Sequence, residues 1–165
     1  MSEFYLHEDE WGMRDLVPEE NRFRATTATA EAERFGEEHR APGGVGWTDM
    51  YVAPEMPVSI AERKITLAAL CALLPELARV DQFYSGYSSY RELLKKSFAL
   101  RGDCGVIYGG FEGERVTSLH LTHASEEMAP LLLRLGRAYR LVLVDWYSDR
   151  VVDLTDERAI REWIE

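Results

Sequence analysis

Leu67, Leu70, Cys71 and Leu74 fall at i, i+3, i+4 and i+7, the stripe that an amphipathic helix buries. Thr66 can cap the start of that helix and Pro75 ends it. Met128, Leu131, Leu132 and Leu135 repeat the spacing after Ser125, with Glu126 and Glu127 in the first turn, where carboxylates complement the helix dipole, and Gly136 placed to terminate the helix. Ala28, Ala32 and Phe35 predict a helix over residues 27–39, whose polar side carries Glu31, Glu33, Glu37 and Glu38 and which covers the core only lightly. Tyr90, Leu94 and Phe98 recur every fourth residue and predict another helix over 91–98. A last helix begins at Thr155 as cap, with Asp156 and Glu157 in its first turn, and turns Ala159, Ile160, Trp163 and Ile164 inward.

Strand patterns are clearest in the second half. Residues 104–108 and 116–121 are β-rich runs joined by Gly109, Gly110, Phe111, Glu112, Gly113 and Glu114, a connection supplied with glycines for left-handed angles. Residues 141–146 are apolar apart from Asp145 and predict the central strand, and Ser148, Asp149 and Arg150 turn it into Val151, Val152 and Leu154. Phe4–Leu6 opens the chain as a short strand, Pro18 marks a break, and residues 41–47 with Pro54 and Pro57 read as loop. Paired hairpins around single helices do not give the alternating order of a parallel doubly wound sheet. The expected fold class is α+β, a single domain with a mainly antiparallel sheet and packed helices.

At 165 residues and 46% apolar content, the chain is long enough to bury one core and short for two. The domain is expected to span 1–165, with residues 1–60 acidic and loop-rich and 61–165 better patterned. Net charge is −10, and thirteen acids against five bases in the first sixty residues place −8 of it there. A surface of that sign repels phosphates and attracts basic surfaces, so no nucleic-acid partner is expected. The opening residues lack the basic and apolar regions of a secretory signal, and the longest apolar stretch, 67–74, is too short to cross a bilayer, so the expected location is cytoplasmic, with no membrane contact. Cys71 and Cys104 have no metal-type spacing and are expected as reduced thiols.

No complete catalytic motif emerges. His120, His123 and Glu126 could ligate zinc only if the strand ended between the two histidines, because positions three apart on a strand face opposite ways. Cys104 beside Asp103, with His120 on the partner strand, could form a thiol nucleophile and base, but no nucleophile signature surrounds it, and an inert thiol is the expectation. Gly43–Gly46 lacks the strand and the Lys-Ser/Thr of a phosphate loop, and Ser85–Ser88 lacks the second glycine of a nucleophile elbow. Glu8, Asp9 and Glu10 are consecutive, so a solvated acidic edge is expected rather than a paired acid and base. Interleaved with aromatics, the same acids suit a protein interface in which rings anchor and carboxylates steer.

The stretch Phe4–Met13, together with Leu141–Trp146 and Val151–Leu154, resembles small acidic immunity proteins of bacterial polymorphic toxin systems. That resemblance implies a non-enzymatic protein that binds a cognate toxin and blocks its active site with acids. The expected partner-binding residues are Glu8, Asp9, Glu10, Trp11, Trp47, Tyr51, Tyr84 and Tyr87, with no catalytic or metal residue and no cofactor, and no commitment on oligomeric state. The alternative is a small hydrolase or ligand-binding domain that gathers Glu8, Asp9, Cys104 or His120 in one cleft.

Overall fold

In the computed structural model, which describes residues 1–165, an eight-stranded sheet divides the molecule into three layers. In chain order the strands are β1 (Glu3–His7), β2 (Arg14–Pro18), β3 (Ala78–Arg79), β4 (Gln82–Tyr87), β5 (Tyr90–Leu93), β6 (Ser97–Gly102), β7 (Gly105–Glu112), β8 (Arg115–Val116), β9 (His120–Thr122), β10 (Leu141–Asp145) and β11 (Arg150–Asp153). The helices are α1 (Arg22–Glu38), α2 (Leu67–Leu73), α3 (Ala129–Tyr139) and α4 (Glu157–Ile164). The large sheet runs β11-β10-β2-β9-β7-β6-β3, with β8 on β7, and all its pairings are antiparallel. A second sheet, β1-β4-β5, pairs β1 with β4 in parallel. The fold is α+β, mainly antiparallel, in a single domain.

Alternation along the strands assigns the two faces. Leu16, Leu100, Ile107, Leu119, Leu121, Leu141, Leu143 and Val152 point to one side, where they pack with residues of α2, α3 and α4 in the main core. Val106, Tyr108 and Ala99 point to the other side and pack against Phe4, Leu6 and Phe83 of the small sheet. Next to the small sheet on that second face, α1 lies over β10 and β11 through Ala25, Ala28 and Thr29. The acidic N-terminal segment therefore forms much of one outer layer. It also supplies β2, hydrogen-bonded between β10 and β9 inside the sheet, so it is part of the core.

Several expectations hold locally. Thr66 caps α2 by accepting from Ala69 N, and Leu67 and Leu70 are buried. Others fail for identifiable reasons. Residues 90–93 and 97–98 are strand with 94–96 linking them, not a helix, and the fourfold spacing marks no single face: Tyr90 is exposed on β5, Leu94 packs on the small-sheet core and Phe98 lies in the main core. The glycines 109 and 110 do not form the hairpin loop but lie within β7, and a Cβ on Gly109 would sit 1.9 Å from Ser118 O. Gly136 does not end α3. It lies inside the helix where a Cβ would sit 2.1 Å from Leu154 O, and Arg140, with φ of 54°, makes the stop. Asp156, not Thr155, caps α4, accepting from Arg158 N and Ala159 N. The strand at 141–145 lies one place from the sheet edge rather than at its centre, because β2 takes its inner side. α1 begins at Arg22, five residues earlier than expected, where the buried Asn21 side chain bonds the backbone of Val58 in both directions at 2.7 and 2.8 Å.

Candidate functional site

A single cross-strand row spans the second face of the large sheet. Val151, Val144, Asp15, His120, Tyr108 and Ala99 are successive register partners on β11, β10, β2, β9, β7 and β6. Residues directly opposite on neighbouring strands stand about 4.5–5.5 Å apart, so their side chains meet. α1 covers one end of the row and the small sheet the other, leaving Asp15 and His120 in the seam between them. His120 Nδ1 lies 2.6 Å from Asp15 Oδ1, and Trp146 Nε1 donates to Asp15 Oδ2 at 3.2 Å. A carboxylate only accepts, so Nδ1 carries the hydrogen of that bond and Nε2 is left at the other corner of the ring. That Nε2 is buried and has no partner.

Trp11 closes the seam. Its indole stacks on Phe83 of the small sheet at 5.7 Å and meets Tyr108 and His120 edge-on at 5.1 and 5.7 Å. Tyr108 hydroxyl accepts from Gly12 N at 3.0 Å and donates to Glu10 O at 3.3 Å, so a buried ring pins the acidic turn from beneath. Burial, more than the neighbouring carboxylates, pushes that hydroxyl up to about 12. Glu8, Asp9 and Glu10 form one 3-10 turn, capped by His7 Nδ1, which accepts from Asp9 N.

The eight residues expected at an interface divide into three places. Glu8 and Asp9 are exposed beside Tyr87, whose hydroxyl is raised first by the charge of Glu8 and then by that of Asp9. Tyr84 stands on the outer side of the small sheet, and its hydroxyl donates to Gln82 Oε1 at 3.0 Å. Trp11 and Glu10 line the seam. Trp47 and Tyr51 lie over α1: Tyr51 donates to Glu31 Oε2 at 3.2 Å and its ring meets Phe35 and Trp146 at 5.7 and 6.4 Å. The 41–59 segment that carries them bares large apolar side chains, with Val45, Trp47, Met50 and Val52 at 86%, 65%, 80% and 81% exposure. Glu33, Glu37 and Glu38 on the adjoining helix have no basic group within 4 Å.

The cysteine and histidine do not meet. Cys104 precedes β7 by one residue, four positions from Tyr108, the register partner of His120, and it packs toward the helix-side core. Burial pushes its thiol up, toward the unreactive form. Cys71 and Cys104 are both free. His123 is exposed just past β9 with φ of 55°, whereas His120 is buried on the strand, and no three His, Cys, Asp or Glu side chains gather so as to hold a metal ion.

A second polar cluster, on the helix side of the same strands, escapes the sequence reading. Arg14 and Asp145 are register partners, and Asp145, 2% exposed, accepts from Trp163 Nε1, Tyr147 N and Ser148 Oγ at 2.8, 3.0 and 2.8 Å. The Arg14 guanidinium lies between the rings of Tyr147 and Trp163, 5.3 and 5.4 Å from their centroids. The cluster borders a cleft of about 330 Å³ and ties the β10–β11 turn to α4. The one signal for it was Asp145 itself, a lone charge in an apolar run. No helix is long and apolar enough to cross a membrane. Compared with protein-family models, curated proteins and solved structures, the chain gives no match.

Proposed function

We propose that this chain is an antitoxin-like immunity protein of the cytoplasm that binds and neutralises a cognate toxin domain. The observation that carries the reading is the 45–52 segment, where Val45, Trp47, Met50 and Val52 are bared to water beside the unpaired carboxylates of α1. Leaving such a side chain in water forgoes about 1.5–3 kcal/mol relative to burying it. Concentrated apolar exposure rimmed by charge is the mark of a recognition surface, and long connections without secondary structure commonly carry function. Carboxylates around the patch steer a basic partner and select against acidic ones. Such a partner is a toxin whose active cleft is basic.

The test is binding between the purified chain and the purified product of the adjacent gene, followed by a growth assay of that product with and without the chain. Tight binding that weakens with salt, together with restored growth, is the expected result. Trp47→Ala is expected to weaken binding by at least about thirtyfold, the loss typical of an anchoring aromatic. Absence of binding would falsify the proposal.

A further inference from the structure

Arg150, Asp145 and Arg14 are successive register partners on β11, β10 and β2, on the face that carries Leu143 and Leu16 into the helix-side core. Two arginines thus flank one carboxylate at the end of the sheet where β10 turns into β11. The carboxylate already serves three neutral donors: Oδ1 accepts from Tyr147 N, and Oδ2 from Ser148 Oγ and Trp163 Nε1. The arginines are less well served. Arg14 Nε is buried without a hydrogen-bond partner, Asp145 Oδ1 stands 3.6 Å from it, and Arg150 has no carboxylate within 4 Å.

Both arginines line the cleft of about 330 Å³. Tyr147 and Trp163 take the faces of the Arg14 guanidinium, whose N–H groups lie in its plane, so the rings leave those groups free to donate. An unfilled guanidinium asks for an acceptor, and its planar fork matches two oxygens of one oxyanion. We infer that this cleft binds an oxyanion, the carboxylate or phosphate group of a small molecule, between Arg14 and Arg150. Its volume stands near the lower end of the about 300–1,000 Å³ of small-molecule sites, which keeps the ligand small. Charges farther off than about 8 Å are largely screened at physiological salt, so the chain's net −10 does not bar an anion from the cleft. Glu165, which also lines it and has no basic partner within 4 Å, opposes one locally. The cleft lies on the helix side of the large sheet and α1 on the other, so this site is separate from the protein-binding surface and does not depend on that reading.

Sodium phosphate and sodium acetate, titrated separately into the 15N-labelled full chain at an ionic strength held constant with sodium chloride, test it. Saturable shifts of the Trp163 Nε1–H and of the Tyr147, Ser148 and Arg150 amides are the expected result, and the anion that saturates them at the lower concentration distinguishes a phosphate ligand from a carboxylate. Arg150→Gln should weaken binding roughly threefold, the worth of one exposed charge pair. Arg14→Lys should weaken it more, because lysine keeps the charge and loses the fork. Glu165→Gln should tighten it. Arg150 and Glu165 are exposed, so those two variants keep the fold, read from the remaining amides, and decide the matter even where Arg14→Lys unfolds. Shifts that rise without saturating, shifts centred on Lys95 and Lys96, or binding that Arg150→Gln leaves unchanged would overturn the assignment.

Discussion

His120 Nδ1 lies 2.6 Å from Asp15 Oδ1 across the β2–β9 register, and the other oxygen of that carboxylate accepts from Trp146 Nε1. One carboxylate thus satisfies two donors, one on β9 and one just past the end of β10. Asp15→Ala leaves both unpaired in the seam and is expected to cost about 1–3 kcal/mol. Asp15→Asn keeps one acceptor and should cost less. Urea unfolding of both variants, with unchanged slopes, checks the order.

Asp145 is more deeply placed and carries more. Its removal as Asp145→Ala strands three hydrogen-bond donors and the Arg14 guanidinium 3.6 Å away, and about 3–5 kcal/mol of destabilisation is expected. Trp163→Phe removes one of those donors while keeping an aromatic ring against Arg14, so about 1 kcal/mol is expected. Equal losses in thermal or urea unfolding would mean that Asp145 acts through Trp163 alone.

Gly136 gives a prediction opposite in sign to helix propensity. Alanine is favoured over glycine in a helix interior by about 1 kcal/mol. At this position its Cβ would meet the Leu154 backbone at 2.1 Å, and backbone cannot step aside as a flexible side chain can. Gly136→Ala is therefore expected to destabilise by about 1–3 kcal/mol through overpacking. A rise in melting temperature would show that the contact yields.

Acid should loosen the molecule through named pairs. The bidentate bond from Arg63 holds the Glu20 carboxyl below its ordinary value of 4.5, and Asp153, raised by burial but lowered more by Thr155 and Arg22, ends below its ordinary 3.8. A depressed folded value means that unfolding takes up protons. Each group therefore stabilises the fold above its ordinary value and loses that contribution as pH falls through the depressed one. Asp153→Asn should flatten the decline in stability as pH falls below the ordinary 3.8, measured by urea unfolding across the acid range.

The apolar skeleton was legible because burial writes itself into spacing. The stripe of α2, the strand at 141–145 and the hairpin partner at 150–153 each follow from side chains that must face one way. Residues 90–98 were misread because Tyr90, Leu94 and Phe98 recur at a helical spacing by coincidence: they fall on two strands and the link between them, which only the pairing of β5 with β4 and of β6 with β7 reveals. β2 was not foreseen for a different reason. Its Arg14 and Asp15 look like loop, and they are tolerated inside a sheet only because Asp145 waits on one face and His120 on the other. Neither partner lies within a hundred residues along the chain, so no local pattern could announce them.

The acidic excess of the first sixty residues and the aromatic residues among them were likewise plain in the chain. Which of those aromatics face water was not: Trp11 and Trp47 have the same chemistry, yet one is stacked between Phe83 and His120 and the other stands in solvent. By itself the sequence determined the fold class, the main helices and the sign of the surface, all properties of local spacing and composition. Only the tertiary structure decided which charges are consumed inside and which are left to meet a partner, because a charge is neutralised by what lies across the sheet from it, and that depends on register.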